Sequence, residues 1–431
     1  MELLLISNQY PYNNGDSVFI KPEIPYLSKI FDKVHIMCTD NDAIKYDKLD
    51  IPNNFILIPF IIKSTKILSL LFKIKNIFIS FIHPIKLLYI LYNEIISIYK
   101  KKRLNIYSFG MAVRYLLSAN YYAIFLKNYL YVNPKIKIIY TYWFLSEAMA
   151  AILCKKIFKI PIICITRAHG CDIHEFEQKI NYQLYKKWMD KYIDYIFFIC
   201  KDGYNYYIDL IGEKNKSKYH ISRLGIENKY LIDNYKIENL LKNNLKIVSC
   251  SYIVSRKRIN YIVEALYKIN NIKIEWTHIG NGIDKNKIEI LSKKLLAKKD
   301  NIRYNFMGYL DNESIKRYLN ENYFDYFVST SEAEGLPISM MEAISFGIPV
   351  IATNVGGVSE IVNKDTGILI DPNNCVDELV NAIYHVSSMP YDEKIELRKS
   401  CRENWEINYI ADKQYTLFIN DLKRIIKKCV V

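Results

Sequence analysis

Two carboxylates bracket a helix start in the segment SEAEGLPISMMEAISFGIPVIATNVGGVSEIV, residues 331–362. Pro337 reads as the first residue of that helix, whose free backbone N–H groups attract an anion. Yet Glu334 lies just before the spot and Glu342 five residues after Pro337. Other residues with chemical potential fall into three clusters. The stretch SCSYIVSRKRINYIVEAL (249–266) carries Arg256, Lys257 and Arg258 at a strand-to-helix passage. TRAHGCDIHEF (166–176) carries His169, Gly170, Asp172 and His174 just past an apolar run. YPYNNGDSVF carries Gly15, where a missing side chain lets backbone approach a phosphate, or simply closes an Asn-Gly turn.

These residues need a scaffold that delivers them to one place, and the pattern of apolar runs supplies it. LLLIS (3–7), KVHIMC (33–38), KIIYTYW (137–143), PIICITRAHG (161–170) and YIFFIC (195–200) are β-branched or apolar runs separated by helical stretches. That alternation is the signature of a parallel sheet wrapped by helices. Residues 222–244 are polar and lack a strong strand. A second series follows: KIVSCSY (246–252), KIEWTHIG (273–280), IRYNFMG (302–308), FDYFVST (324–330), PVIAT (349–353) and GILID (367–371). The expected architecture is α/β, with two doubly wound Rossmann-like domains, 1–222 and 223–400, facing across a cleft. A terminal helix over 401–431 is expected to pack towards the first domain through Trp405, Tyr409, Tyr415, Phe418 and Leu422. In doubly wound sheets ligands sit at the carboxyl ends of the strands. Glu334 and His169 both fall at such ends.

The segment EGLPISMMEA…GIPVIATNVGGVSEIV resembles the nucleotide-sugar signature of the family 4 glycosyltransferases, retaining enzymes of GT-B fold, in its Glu-x7-Glu spacing and its Gly, Pro and Gly-Gly positions. The resemblance extends through YTYWF, RAHGCDIHEF and SRLGI, and is closest to members that build capsule, exopolysaccharide or lipopolysaccharide. It implies an acceptor-binding first domain and a second domain that binds a nucleoside-diphosphate sugar, such as a UDP- or GDP-sugar. Glu334 would bond hydroxyls of the donor sugar and Glu342 those of the ribose, since charge-assisted bonds to hydroxyls are roughly twice as strong as neutral ones. The diphosphate is then left to the backbone around Gly335, Leu336, Pro337, Ile338 and Ser339 and to Lys257. The family has an Arg where this chain has Tyr252, so Arg256 or Arg258 supplies the second cation, or one contact is lost. The resemblance further implies His169 and Gly170 near the reacting centre, Asp172 towards the acceptor, and backbone contacts to the base near Gly280 and Tyr309. His174 reads as structural.

The remaining bulk properties fit this picture. The 431-residue chain has 59 Lys and Arg against 45 Asp and Glu, a formal net charge of +14. Between residues 63 and 103 stand nine Lys and Arg against the single acid Glu94. The region 59–103 mixes those cations with Ile, Leu, Phe and Tyr, which suits helices lying in an anionic interface, such as one holding a polyprenyl-diphosphate-linked acceptor, or ordinary amphipathic helices packed on the sheet. No apolar run is long enough to span a bilayer or to serve as a signal peptide. Nine scattered cysteines without a CxxC pair argue against disulfides and zinc and for a reducing cytosol, placing the protein in the cytoplasm or peripherally on the membrane's inner face. No metal ligand set and no cofactor are expected. A nucleic-acid protein would need an aromatic-interleaved or zinc-finger pattern, which the sequence lacks. The rival expectation is a GT-B protein that binds nucleotide sugar or glycan without turnover.

Overall fold

The computed structural model describes residues 1–59, 83–212, 216–230 and 244–430. The chain divides into two units, Met1–Arg223 with Tyr415–Val431, and Leu224–Gln414. Residues 60–82 of the basic stretch lie outside the described residues, as do 231–243 of the polar stretch.

The first unit is built on seven strands: β1 (Glu2–Ser7), β2 (Lys33–Cys38), β3 (Phe55–Leu57), β4 (Ile136–Thr141), β5 (Ile163–Ala168), β6 (Tyr195–Phe198) and β7 (Tyr219–Ile221). They lie in the order β3-β2-β1-β4-β5-β6-β7, every pair parallel. A strand with helices on both sides must be apolar on both faces, and β1 shows how its sequence meets that demand. Leu3 and Leu5 point into one core, with Ile24, Leu27 and Phe418; Leu4 and Ile6 point into the other, with Leu116, Ala148 and Met149. Each such buried leucine contributes about 1.5–3 kcal/mol relative to an exposed one. The three-residue edge strands β3 and β7 were not expected from the sequence, because so short a run carries no periodicity.

The second unit has six strands: β8 (Asn244–Cys250), β9 (Lys273–Ile279), β10 (Ile302–Gly308), β11 (Tyr326–Ser329), β12 (Val350–Thr353) and β13 (Gly367–Ile370). Their order is β10-β9-β8-β11-β12-β13, again all parallel. In both sheets the chain starts in the middle, works outwards to one edge, and returns to build the other half. The reversal falls between β1 and β4 in the first unit and between β8 and β11 in the second. Loops leaving those strands diverge there and open a crevice.

The expected single helix over 401–431 is corrected. One helix ends at Asn408 and another spans Ala411–Val430. Between them the backbone extends to pair with Ile226, whose N–H donates to the Tyr409 carbonyl at 2.9 Å while its carbonyl accepts the Ala411 N–H at 3.1 Å. Trp405 and Tyr409 therefore belong to the second unit; Phe418 and Leu422 are core residues of the first.

Candidate active site

In the second unit, the loops after β8 and β11 flank the switch point and are sewn together by backbone. The Thr330 hydroxyl donates to the carbonyls of Lys257 (3.2 Å) and Arg258 (2.9 Å), and the Glu332 N–H donates to the Arg256 carbonyl at 2.9 Å. The loop after β12 closes the other side: Gly357 N–H donates to Gly335 at 3.0 Å, and the Thr353 hydroxyl to Ser331 at 2.6 Å. Gly356, at φ +52°, lies so close that a Cβ would sit 1.9 Å from the Glu334 carbonyl oxygen. Glycine is required there.

This framework sets Lys257 Nζ 2.5 Å from Glu334 Oε1, with the side chains 17% and 10% exposed. Beside them begins the helix Ile338–Ser345. Pro337 is its N-cap, with extended ψ of 114°, rather than its first turn as expected. Its carbonyl already accepts from Met340 and Met341, at 3.2 and 3.3 Å. Ile338 and Ser339 thus become the first helical residues, whose amides have no carbonyl partner within the helix. The Leu336 side chain is buried beneath the loop.

Glu342 lies within this helix, 3% exposed, with Oε1 accepting from Asn312 Nδ2 at 2.5 Å. Burial pushes its pKa up to about 7, partly countered by the nearby Lys316 ammonium and the Asn312 bond. Arg258 is one of the two alternatives for the second diphosphate cation, and its guanidinium already has protein partners. It sits in left-handed backbone at φ 48°, donates to the Pro372 carbonyl at 3.1 Å, and pairs with Glu332 at 3.2 Å. Arg256 and Tyr252 are exposed on the loop after β8. Gly280, at φ +149°, joins the ends of β9 and β10 through its N–H to Gly308 at 2.8 Å, and Tyr309 beyond it is 63% exposed.

In the first unit, the corresponding reversal gathers His169, Trp143 and the loop over residues 8–16. His169 caps the four-residue helix Gly170–Ile173 and is 5% exposed. Burial and then the Arg167 charge press its pKa down to about 3, against a hydrogen bond to the Tyr142 backbone, so the imidazole is neutral. Asp172 is corrected as an acceptor contact. It is fully buried, its Oδ1 accepting the His169 N–H at 2.7 Å and its Oδ2 the Phe144 N–H at 2.8 Å. Burial pushes its pKa up to about 6, opposed by the buried Lys186 ammonium nearby. It ties the loops after β4 and β5 together. His174 is structural as expected, held between Glu177 (3.4 Å) and Asp202 (3.3 Å). Gly15 adopts φ +49°. The amides of Asn8, Gln9 and Tyr10 in its loop point to the Asp16 carboxylate, not outwards.

The sequence reading missed Asn312, Asp16 and Trp143. Asn312 sits at the start of a helix, Asp16 follows a turn glycine, and Trp143 reads as a strand-end aromatic, so each carries a sufficient local explanation. Among the described residues, no group of three or more His, Cys, Asp or Glu is arranged to hold a metal ion.

Residues 231–406 match the family model described as Glycosyl transferases group 1. The chain is 26% identical over 249 residues to the O-antigen biosynthesis glycosyltransferase WclY of Escherichia coli, covering 54% of this chain and 65% of that one. It is 27% identical over 179 residues to the amylovoran biosynthesis glycosyltransferase AmsK of Erwinia amylovora, covering 39% and 42%. These matches thus span less than two thirds of those relatives' lengths. Among solved structures, the sucrose-phosphate synthase of Thermosynechococcus elongatus superposes with a TM-score of 0.71 at 16% identity, covering 99% of both chains. The lipopolysaccharide outer core galactosyltransferase WaaB does so with 0.64 at 16% identity, covering 96% of this chain and 98% of that one. At such identities the likeness speaks for fold. The crevice between β8 and β11, with its lysine, its two glutamates and its helix start, therefore lies within the residues that match the Glycosyl transferases group 1 model, in a chain of GT-B fold.

Proposed function

We propose that this chain is a retaining glycosyltransferase of the family 4 kind, moving a sugar from a nucleoside-diphosphate donor to a glycan or lipid-linked glycan in surface polysaccharide assembly. The observation that carries the reading is the Lys257–Glu334 pair at the amino end of the Ile338–Ser345 helix. A lysine and two unpartnered helix amides suit a diphosphate, and the acid beside them suits alcohols. The Glu334 carboxylate also keeps the lysine aimed and neutralised. When a diphosphate takes the lysine, the acid is released to accept from sugar hydroxyls.

In this reading the departing diphosphate develops charge that Lys257 and the amides of Ile338 and Ser339 stabilise, without a metal ion. Glu342 accepts from the ribose hydroxyls with its second oxygen, Oε1 being held by Asn312. His169, in the first unit, offers a neutral imidazole to a substrate hydroxyl. The acceptor hydroxyl bonds the anomeric carbon on the same face from which the diphosphate departs, and the leaving phosphate takes the hydroxyl's proton; that front-face course gives retention without a protein nucleophile. The relatives' names, O-antigen and amylovoran biosynthesis, support a bacterial surface glycan as product.

Glu334→Gln and Lys257→Ala are expected to lower transfer by about 10²-fold or more, measured as nucleoside diphosphate release across a donor panel with membrane extract as acceptor. Full activity in either variant overturns the assignment.

A further inference from the structure

Asp16 is 4% exposed and saturated with donors. Its Oδ2 accepts the Asn8 N–H at 2.8 Å and the Trp143 indole N–H at 3.1 Å; its Oδ1 accepts the N–H groups of Gln9 and Tyr10, both at 3.0 Å. The loop after β1 thereby wraps an internal carboxylate, and that carboxylate grips the indole just past β4. Trp143 in turn stacks on His169, just past β5, with ring centroids 4.1 Å apart and planes 35° apart. Three strand ends adjacent in the sheet are linked by one carboxylate, one indole and one imidazole.

Other contacts fix the histidine's backbone or crowd its ring more loosely. Asp172 holds its N–H. Tyr142 and Phe19 lie with ring centroids 5.3 and 6.2 Å away, and the Tyr142 hydroxyl donates to the Phe19 carbonyl at 2.9 Å. Trp143 is the closest ring packed on the imidazole. The ring bonds the Tyr142 backbone, while Nε2 is buried without a partner, so the bonded nitrogen is Nδ1. A neutral imidazole that donates from Nδ1 has a bare lone pair at Nε2, an acceptor for one hydroxyl.

We propose that Asp16 and Trp143 are positioning residues: the carboxylate fixes the indole, and the indole holds the His169 ring so that Nε2 accepts from a sugar or acceptor hydroxyl during transfer. The assignment rests on the glycosyltransferase reading. In this loop the amides of Asn8, Gln9 and Tyr10 serve Asp16.

The test uses the full chain and two kinds of readout. Trp143→Phe keeps an aromatic face but loses the N–H; Asp16→Asn keeps the shape but opposes donor to donor. Each is expected to lower kcat about tenfold or more, as small misplacements at a reacting centre do, with nucleoside diphosphate affinity unchanged. Trp143→Ala should fall further than Trp143→Phe, and the double variant should lose little beyond the worse single one, because the residues act as a chain. Independently of turnover, nitrogen-15 NMR should show an unprotonated His169 Nε2 and a Trp143 indole signal that moves in Asp16→Asn. An inactive wild type with those signals intact defeats the transferase reading alone. A protonated Nε2, an indole signal indifferent to Asp16→Asn, or unchanged kcat in Trp143→Phe overturns the positioning role. If Asp16→Asn does not fold, Trp143→Phe and the Nε2 signal decide.

Discussion

Glu342 is the residue whose chemistry depends most on its surroundings. Its folded pKa of about 7 lies well above the ordinary carboxyl value of about 4.3 because burial disfavours the charge. Such an acid binds its proton more tightly folded than unfolded. Its contribution therefore favours folding below about pH 4 and is lost as pH rises through 7. Glu342→Gln removes that dependence while preserving a neutral acceptor for Asn312. Urea unfolding should show the variant gaining on the wild type by on the order of 1–3 kcal/mol between pH 5 and pH 8. An equal difference at both pH values would show that the carboxyl titrates normally. Spacing and resemblance single out Glu334 and Glu342 in the sequence as candidates. The partner that tunes Glu342 is not legible there, because Asn312 lies thirty residues away on another helix and has no pattern of its own.

At the scale of elements, the site is made by loops that lock one another rather than by any single motif. Gly356 shows the tolerance. Its left-handed backbone and the 1.9 Å approach of a notional Cβ to the Glu334 carbonyl leave no room for a methyl group. Gly356→Ala is expected to cost about 1–3 kcal/mol in stability and to lower transfer out of proportion, since the displaced carbonyl carries Glu334 with it. Stability loss with undiminished kcat would separate the loop from the chemistry. Most strands could be read from their apolar runs, as in β1 and β8. The edge strands β3 and β7 could not, and neither could the break at Tyr409–Ile410, where pairing with Ile226 overrides a helical pattern. Asp172, which the resemblance turns towards the acceptor, is buried instead; only the backbone amides converging on it, and Lys186 nearby, show why.

Across the whole molecule, two sheets whose first six strands follow the same order use their switch points differently. The second presents a lysine and a helix start; the first fills its amide loop with Asp16. A further surface belongs to the first unit. Its helix Pro84–Lys100 buries Leu87, Ile90, Glu94 and Ile98, and exposes Ile85, Leu88, Tyr89, Tyr92 and Tyr99. Exposed Lys100, Lys101, Lys102 and Arg103 follow. No helix among the described residues is long and apolar enough to cross a membrane. Peripheral contact with anionic lipid, expected from the sequence, is a proposal that this face puts to the test. Vesicle sedimentation should show anionic vesicles bound over neutral ones, and replacing Lys100, Lys101 and Lys102 with Gln should weaken binding roughly a hundredfold. Equal binding to neutral vesicles would remove the electrostatic account.

The central claim, that Lys257 holds the diphosphate while Glu334 serves alcohols, is tested most directly by calorimetric titration of nucleoside diphosphate, which lacks the sugar. Lys257→Ala should weaken binding about tenfold or more, the loss of a charge-assisted contact, whereas Glu334→Gln, by removing a negative neighbour, should bind as tightly as the wild type or tighter. Weakened binding in Glu334→Gln, or undiminished binding in Lys257→Ala, would contradict it.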